Sequence, residues 1–266
     1  MIQIENIIKN MKAGVTCPLL AMSTHGKKYV IKCIHDDCSA KILLNEYVCG
    51  KLADLLELPI AEHTLGYLPN SVINNSTDLC RLKAKSGTIF CSLYNKGITS
   101  MAPSTIQHIS NKDYIPDMIA FDLFIGNLDR ATNLKAGNVG NYLITNKFEL
   151  LLIDHSHVFI HGEIWDKSTL KQLKTVGSTI SENFPERYKY FRYLIAGRNP
   201  FDPIIKRIEE ITSEDINNIF TGIPTDWEIP SEDTEALSDF LLFQIEHIQE
   251  IIEKTHEFFP KWKGGL

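Results

Sequence analysis

The sequence lacks the patterns that mark membrane proteins, secreted proteins and cysteine-rich metal-binding proteins. No apolar run approaches the roughly 18–20 residues that a membrane-spanning helix needs. The N-terminus has no cationic segment followed by an apolar stretch and a cleavage site, so it does not predict a signal peptide. The six cysteines form no C-x-x-C pair, and no cysteine follows Cys91. This spacing argues against a structural zinc site and predicts reduced thiols in a cytoplasmic protein.

The sequence also lacks the excess of lysine and arginine that is typical of nucleic-acid-binding proteins. Its 266 residues contain 27 Lys and Arg against 33 Asp and Glu, which gives a formal net charge of −6. No basic stripe with interleaved aromatic residues is evident, so direct binding of nucleic acid is not expected. The hydrophobic content of 44% is ordinary for a globular chain, and the length suffices for one large domain or two modest lobes.

The first third of the chain predicts a mostly antiparallel sheet with one helix. Two short strands with a turn near Gly26 are expected within residues 13–34, and further strands at HTLGYL, LCRLKA and TIFCSLY. The polar composition of residues 69–78 indicates a turn. Residues 40–56 carry an apolar stripe that predicts a helix. A connector around Gly97 and Pro103 then divides the chain into two regions, residues 1–96 and 97–266.

The second region predicts mainly helices. Apolar residues with a helical period place them at residues 113–125, 167–173, 185–197, 203–210, 213–221 and 234–258. Ser213 is the expected N-cap of the fifth of these helices, because acidic residues follow it in the first turn. One hairpin interrupts the helical pattern, with strands at YLIT and LLLI and a turn at Asn146 and Lys147.

Two aspartates bracket this hairpin and mark the candidate functional centre. Asp129 precedes it, Asp154 comes directly after LLLI, and Asn141 stands directly before YLIT. Pairing of the two strands would put Asn141 and Asp154 almost opposite each other at the open end of the hairpin. Amide and carboxylate oxygens are suitable ligands for a hard cation. The sequence therefore predicts a cation site at this end of the hairpin.

Three features upstream fit related chemistry. Lys32 lies within a predicted strand, where it either reaches solvent or points into a cleft and holds an anion. Glu46 lies on the predicted helix, where it is either solvated or paired with Lys32. The segment from Gly14 to Thr16 can form a turn whose backbone N–H groups face a phosphate. Kinase-fold enzymes carry the residues for phosphoryl transfer in the same order along the chain: a glycine turn, a lysine in a strand, a glutamate in a helix and then two aspartates.

Several segments carry a resemblance to one family. They are residues 14–18 with YVIK, the pair Asn45 and Glu46 with the LPI that follows, FDLFIGNLDR, LLIDHSHVF, and a late IPTDW. On these segments the chain resembles the HipA-like kinases, in particular their small single-chain branch, from about residue 10 to about residue 250. The resemblance implies an α+β, bilobal protein-kinase-like fold, with an antiparallel-sheet N-lobe that has one helix and a mainly helical C-lobe. It also implies ATP and Mg²⁺ as cofactors and phosphoryl transfer to a Ser or Thr hydroxyl.

The resemblance assigns roles to individual residues. Asp129 resembles the catalytic aspartate, and the adjacent Arg130 either binds a phosphate or pairs with a carboxylate. Asp154 resembles the metal-binding aspartate. Lys32 resembles the lysine that holds ATP, and Glu46 resembles its partner.

Two further segments are implied by the resemblance to contact the nucleotide. Gly14 and Thr16 correspond to the turn over the phosphates. Residues 91–95 correspond to the segment beside adenine, with Ser92 and Tyr94 as the candidate contacts.

The sequence departs from the family pattern in three places. The second metal ligand of the family is an asparagine about five residues after the catalytic aspartate, where this chain has Leu134. The hairpin argument favours Asn141 instead, which requires an inserted stretch, LKAGNVG, and Asn133 is the alternative. The chain also has LDR where protein kinases have HRD, and DHS where they have DFG.

Other functions stay open at this point. The altered catalytic loop is compatible with a nucleotide-binding pseudokinase, and the same parts serve kinases that phosphorylate small molecules. A metal-dependent hydrolase would use Asp129, Asp154, His155 and His157, since two histidines at i and i+2 of an extended segment point the same way. The sequence does not identify the hydroxyl acceptor, and the helical second region can bind a regulatory protein partner.

Overall fold

The computed structural model describes residues 1–11, 14–99, 103–130, 140–160, 162–176 and 180–264. The chain begins with five strands: β1 (Ile2–Asn10), β2 (Leu19–Ser23), β3 (Lys28–Lys32), β4 (His63–Leu68) and β5 (Gly87–Leu93). They close into a barrel in the order β1-β2-β3-β5-β4. Neighbouring strands are antiparallel except β1 and β4, which pair in parallel.

The sequence predicts four of these five strands and misses β1. The alternation of apolar and polar residues stops after Glu5, so β1 lacks the longer alternating run by which a half-buried strand is recognised, and only Ile4 of its nine residues is buried. The inward side chains of the barrel form an apolar core: Ile4, Leu19, Ala21, Tyr29, Ile31, Leu68 and Ile89.

Three helices accompany the barrel in the described part of residues 1–96: α1 (Ala40–Leu55), α2 (Asn70–Asn74) and α3 (Thr77–Leu82). The prediction of one helix, with a turn at residues 69–78 and a strand at LCRLKA, is wrong. Ser76 caps α3 by accepting a hydrogen bond from the backbone N–H of Leu79 at 3.3 Å, and Lys83 ends the helix in the left-handed conformation. The two caps therefore favour a helix in a segment for which the sequence predicts a strand.

Helix α1 is buried on almost every side. Its apolar residues belong to the same core as the helices of the second half of the chain. A helix that is apolar all round is expected to be enclosed. The polar side chains of Asn45 and Glu46 are buried with it, so they need partners inside the protein.

The second half begins with β6 (Gly97–Ile98), α4 (Pro103–Gln107), α5 (Tyr114–Phe124), β7 (Tyr142–Thr145) and β8 (Leu150–Leu152). Strands β6, β7 and β8 form a three-stranded antiparallel sheet. The predicted hairpin around Asn146 and Lys147 is confirmed, with Tyr142 opposite Leu152. This pairing brings the ends of the hairpin, where Asn141 and Asp154 lie, close to each other.

The remaining elements are α6 (Lys167–Val176), α7 (Phe184–Tyr188), β9 (Ala196–Arg198), α8 (Asp202–Glu209), α9 (Ser213–Thr221), α10 (Ser231–Glu246), α11 (Ile248–Glu253) and β10 (Lys261–Lys263). The helix predicted at residues 185–197 is short: α7 ends at Tyr188, turns follow it, and β9 begins at Ala196 and pairs in parallel with β10. The helix predicted at residues 234–258 is divided at His247, whose φ of −112° leaves the helical region.

The N-cap of α9 lies one residue earlier than predicted. Thr212, not Ser213, accepts a hydrogen bond from the backbone N–H of Asp215 at 3.1 Å. Asp215 accepts in return from the backbone N–H of Thr212 at 2.9 Å, which completes a capping box. In the described part of the chain, no helix combines the length and the apolar character that a bilayer crossing requires.

Candidate active site

Lys32, Glu46 and Asp154 meet where the barrel, α1 and the hairpin come together. Lys32 ends β3, Glu46 lies in α1, and Asp154 follows β8. The Lys32 Nζ atom contacts Glu46 Oε1 and lies 2.7 Å from Asp154 Oδ1. Lys32 is only 6% exposed, so its side chain points into the protein and does not reach along the surface to solvent. The structure thus brings together three residues that stand far apart in the sequence.

The charges in this cluster shift one another's ionisation. Burial favours neutral Lys32, but the negative charges of Asp154 and Glu46 outweigh it and raise the lysine pKa. Burial also acts to raise the pKa of Asp154, and the Lys32 charge with the hydrogen bonds from Ser156 reverses this and lowers it. For Glu46 burial prevails and raises the carboxyl pKa. Lys32 and Asp154 are therefore the firmly ionised pair of the cluster.

The backbone around Asp154 is held in an uncommon conformation. Asp154 has a φ of +55°, in the left-handed region, which costs a residue other than glycine about 1–2 kcal/mol. The Ser156 hydroxyl donates to Asp154 Oδ1 at 2.6 Å, and the backbone N–H of His155 donates to Glu46 Oε2 at 3.1 Å. Two hydrogen bonds thus fix the DHS segment to the cluster, and strained residues of this kind concentrate at functional sites.

Asp129 and Asn141 form a second group beside the hairpin. Asn141 Nδ2 donates to the carbonyl oxygen of Asp129 at 2.7 Å and to Asp129 Oδ2 at 2.9 Å. The backbone N–H of Ile153 donates to the carbonyl of Asn141 at 3.2 Å, which places Asn141 next to Asp154 across the hairpin, as its geometry predicts. The alternative metal ligand, Asn133, lies outside the described residues.

Arg130 points away from this group into the protein core. Its guanidinium makes a two-pronged ion pair with Asp122, with Nε 3.0 Å from Oδ2 and Nη2 3.0 Å from Oδ1. It also donates to the carbonyls of Asn141 and Ile153 and contacts His155. Of the two alternatives for Arg130, phosphate binding and pairing with a carboxylate, the structure shows the pairing, and the side chain is 0% exposed.

The two histidines of the DHSH segment lie in different environments. His155 is buried, and burial together with the Arg130 charge lowers its pKa well below the usual 6.5. Its neutral ring accepts from Arg130 through Nε2, so the ring proton resides on Nδ1. His157 is exposed. Among the described residues, no group of three His, Cys, Asp or Glu side chains has a metal-binding arrangement.

The predicted nucleotide contacts lie along the barrel. Gly14 is exposed, has a φ of +69° and has open space where a side chain would stand, whereas Thr16 is buried. Ser92 lies in β5, and Tyr94 follows that strand; both are partly exposed. The backbone N–H of Tyr94 donates to the carbonyl of Lys28 at 2.9 Å, which fixes this segment against β3.

Several residues that support the site were not predicted to do so. Asn127 Oδ1 accepts from the backbone N–H of Asp129 at 2.8 Å, a side-chain turn that an Asn two positions before an Asp can signal. Asn45 Nδ2 donates to the carbonyl of Ser156 at 2.8 Å. In the IPTDW segment, Asp226 accepts from the backbone N–H of Thr88, and the Trp227 indole donates to the Thr88 carbonyl. That segment thus fastens β5 of the barrel to the second half of the chain.

Comparison with known proteins agrees with this arrangement. A model of the HipA-like kinase family matches residues 4–262. The chain is similar in structure to the Helicobacter pylori proinflammatory kinase CtkA, with a TM-score of 0.59 and 16% identity over 94% of this chain and 97% of that chain. No curated protein sequence matches significantly.

A Golgi casein kinase solved with Mn/ADP bound shows a weaker likeness, with a TM-score of 0.49 and 12% identity over 95% of this chain and 73% of that chain. That level of similarity supports no argument about this protein. The likeness to CtkA shows a shared fold of mixed helices and strands. Since the family model spans nearly the whole described chain, the protein belongs to the HipA-like kinase family.

Proposed function

We propose that this protein is an active kinase that transfers the γ-phosphoryl group of Mg-ATP to a Ser or Thr hydroxyl. In this proposal residues 1–96 form an ATP-binding lobe and residues 97–266 a catalytic lobe. The observation that carries the proposal is the contact of Lys32 with both Glu46 and Asp154. This contact brings the lysine and glutamate of residues 1–96 together with the candidate metal aspartate of residues 97–266. Phosphoryl transfer by kinases requires both the Lys–Glu pair and the metal-binding aspartate to be in place.

In this proposal each site residue has a role that follows from its chemistry. Lys32, held charged by two carboxylates, offers its ammonium group to phosphate oxygens, and Glu46 keeps it in place. Asp129, whose backbone and side chain are fixed by Asn127 and Asn141, accepts the proton of the attacking hydroxyl. Gly14 and Thr16 line the phosphate end, and Ser92 and Tyr94 line the adenine end.

The donor set near Asp154 suits Mg²⁺ delivered with a nucleotide. Asp154 supplies a carboxylate and Asn141 an amide oxygen, which are the hard oxygen ligands that Mg²⁺ prefers. Mg²⁺ is commonly held by one or two carboxylates together with substrate phosphates, so a complete protein cage is not needed. When bound, the ion would neutralise charge that develops on the phosphoryl oxygens.

A single-turnover assay with γ-labelled ATP tests the proposal. The wild-type protein is expected to transfer label to itself or to a generic Ser/Thr protein acceptor, and Asp129→Asn to lose at least about 100-fold in rate, because general base catalysis contributes this much. Calorimetric ATP binding by the same variant shows that the site is intact. ATP binding by the wild type without transfer would instead support a nucleotide-binding pseudokinase.

A small-molecule kinase is the second candidate, and the acceptor distinguishes it. In this proposal the residues described above act on the nucleotide, and none of them selects a protein hydroxyl over one on a small molecule. The assay is repeated with a metabolite extract as the source of acceptors. Label in a small-molecule product other than ATP and inorganic phosphate would favour that candidate over Ser/Thr transfer. Phosphoamino-acid analysis of the labelled protein would favour the proposal.

A further inference from the structure

A cavity of about 40 Å³ lies beside the loop that leads to Asp129. That volume has room for roughly three water molecules. Its polar lining comes from Asp122, Asn127, Ser181, Arg187, Tyr188 and Gln244. Lys32, Glu46 and Asp154 do not line it, so the cavity is separate from the proposed ATP site.

Arg187 is the unusual residue in this cavity. It lies in α7, is 7% exposed as a whole residue and lines the cavity. Within the ranges that the structure describes, its side chain makes no hydrogen bond and no ion pair. A largely buried charge without a protein partner is stabilised when a counter-ion or a polar ligand compensates it.

The one carboxylate in the cavity lining does not compensate Arg187. Asp122 already accepts hydrogen bonds from Arg130, from Asn127 Nδ2 at 2.9 Å and from the Tyr188 hydroxyl at 2.9 Å. Its negative charge is balanced by Arg130, with which it forms an ion pair. The ionised groups at the cavity are then two arginines and one aspartate, and Arg187 contributes a net positive charge.

We propose that this cavity binds an oxyanion, a phosphoryl or carboxylate group, with Arg187 as its charged ligand. Guanidinium groups bind such anions through two parallel N–H donors. Gly126, which also lines the cavity, has a φ of +59°, and a side chain there would meet Ile160 at 2.9 Å, so this turn of the loop requires glycine. The Ser181 hydroxyl is a further donor in the lining.

The site is linked to the proposed catalytic loop through Asn127. Asn127 lines the cavity and its Oδ1 accepts from the backbone N–H of Asp129. An anion bound at Arg187 therefore touches the same loop that orients Asp129. The anion can arrive free in solution or as part of an acidic or phosphorylated polypeptide, and both sources share the chemistry that Arg187 recognises.

Calorimetry without ATP tests the site independently of phosphoryl transfer. Inorganic phosphate is titrated into the wild type and into Arg187→Gln, with Arg198→Gln as the matched control, because Arg198 is an exposed arginine in β9. Saturable binding to the wild type and the control is expected, with at least a tenfold loss of affinity in Arg187→Gln. Absent binding to the wild type, or equal binding to all three proteins, would overturn the proposal.

Two additions make the result decisive. If Arg187→Gln does not fold, Arg187→Lys keeps the charge but not the two-pronged geometry, and weaker phosphate binding by it supports the proposal whereas unchanged binding contradicts it. Phosphoserine blocked at both termini is titrated in parallel. Tighter binding of blocked phosphoserine than of phosphate indicates a polypeptide as the source of the anion, and the reverse order indicates a free anion.

Discussion

Two charged clusters lie near the end of the hairpin, and they differ in how completely their charges are matched. In the first, Lys32 faces two carboxylates, and the Asp154 side chain is 27% exposed. In the second, Arg130 and Asp122 are 0% and 1% exposed and exchange several hydrogen bonds with each other. We call the first the open cluster (Lys32, Glu46, Asp154) and the second the closed cluster (Asp122, Arg130).

The difference separates residues that can take part in chemistry from residues that hold the site in shape. The open cluster has two carboxylates for one lysine, and the Asp154 carboxylate is partly accessible to solvent, so it can accept a cation. The closed cluster is electrically balanced, and its remaining donors bond to backbone carbonyls of Asn141 and Ile153. Its two carbonyl contacts tie the loop that contains Arg130 to the hairpin.

The largest effect is expected from breaking the closed cluster. Asp122→Ala leaves the fully buried Arg130 without its carboxylate, and removal of one partner of a buried pair costs about 3–5 kcal/mol. Urea unfolding of the variant and of Asp239→Ala, an exposed aspartate in α10, measures the change. A loss below about 1 kcal/mol in Asp122→Ala would mean that the pair contributes no more than a surface ion pair does.

A smaller effect on stability is expected in the open cluster. Asp154→Asn keeps an oxygen that accepts from Lys32 and Ser156 but removes the charge, so the free energy of unfolding should fall by about 1–2 kcal/mol at pH 7. Activity should nevertheless be lost, because the proposed metal ligand is gone. Equal loss of stability in Asp154→Asn and Asp122→Ala would contradict the distinction between the two clusters.

The smallest effect is expected in the pH dependence of the difference in unfolding free energy between wild type and Asp154→Asn. Asp154 has a folded-state pKa below its usual value of about 3.9, so its ionised form contributes stability above the unfolded pKa and this contribution is lost as the pH falls towards the folded pKa. The gap in unfolding free energy between wild type and Asp154→Asn should therefore narrow below about pH 4. Urea unfolding of both proteins at pH 7 and at pH 3 checks this. A gap in unfolding free energy that is wider at pH 3 than at pH 7 would contradict the lowered pKa of Asp154.

The sequence is sufficient to predict those parts of the site that depend on local patterns. The hairpin between Asn141 and Asp154 follows from two β-rich runs and a polar turn, and its pairing is as predicted. The family resemblance, which rests on such short segments, is confirmed by the family model. The roles of Lys32, Glu46, Asp129 and Asp154 in phosphoryl transfer stay predictions.

Other features depend on tertiary packing that local patterns do not report. The partner of Arg130 is Asp122, eight residues earlier and across a helix end, and an LDR motif alone cannot show that its arginine is turned inward. Strand β1 has one buried residue, so only its pairing with β2 and β4 makes it a strand. The Arg187 cavity requires four separate segments to meet, and none of them is unusual by itself.

The central claim is that the open cluster is the Mg-ATP site, and the Mg²⁺ dependence of ATP affinity tests it most directly. ATP is titrated calorimetrically into the wild type, Asp154→Asn and the exposed control Asp239→Asn, with Mg²⁺ and with a chelator. The account predicts that Mg²⁺ strengthens ATP binding at least about tenfold, or about 1.4 kcal/mol, in the wild type and the control and far less in Asp154→Asn. The same Mg²⁺ enhancement in all three proteins would contradict it.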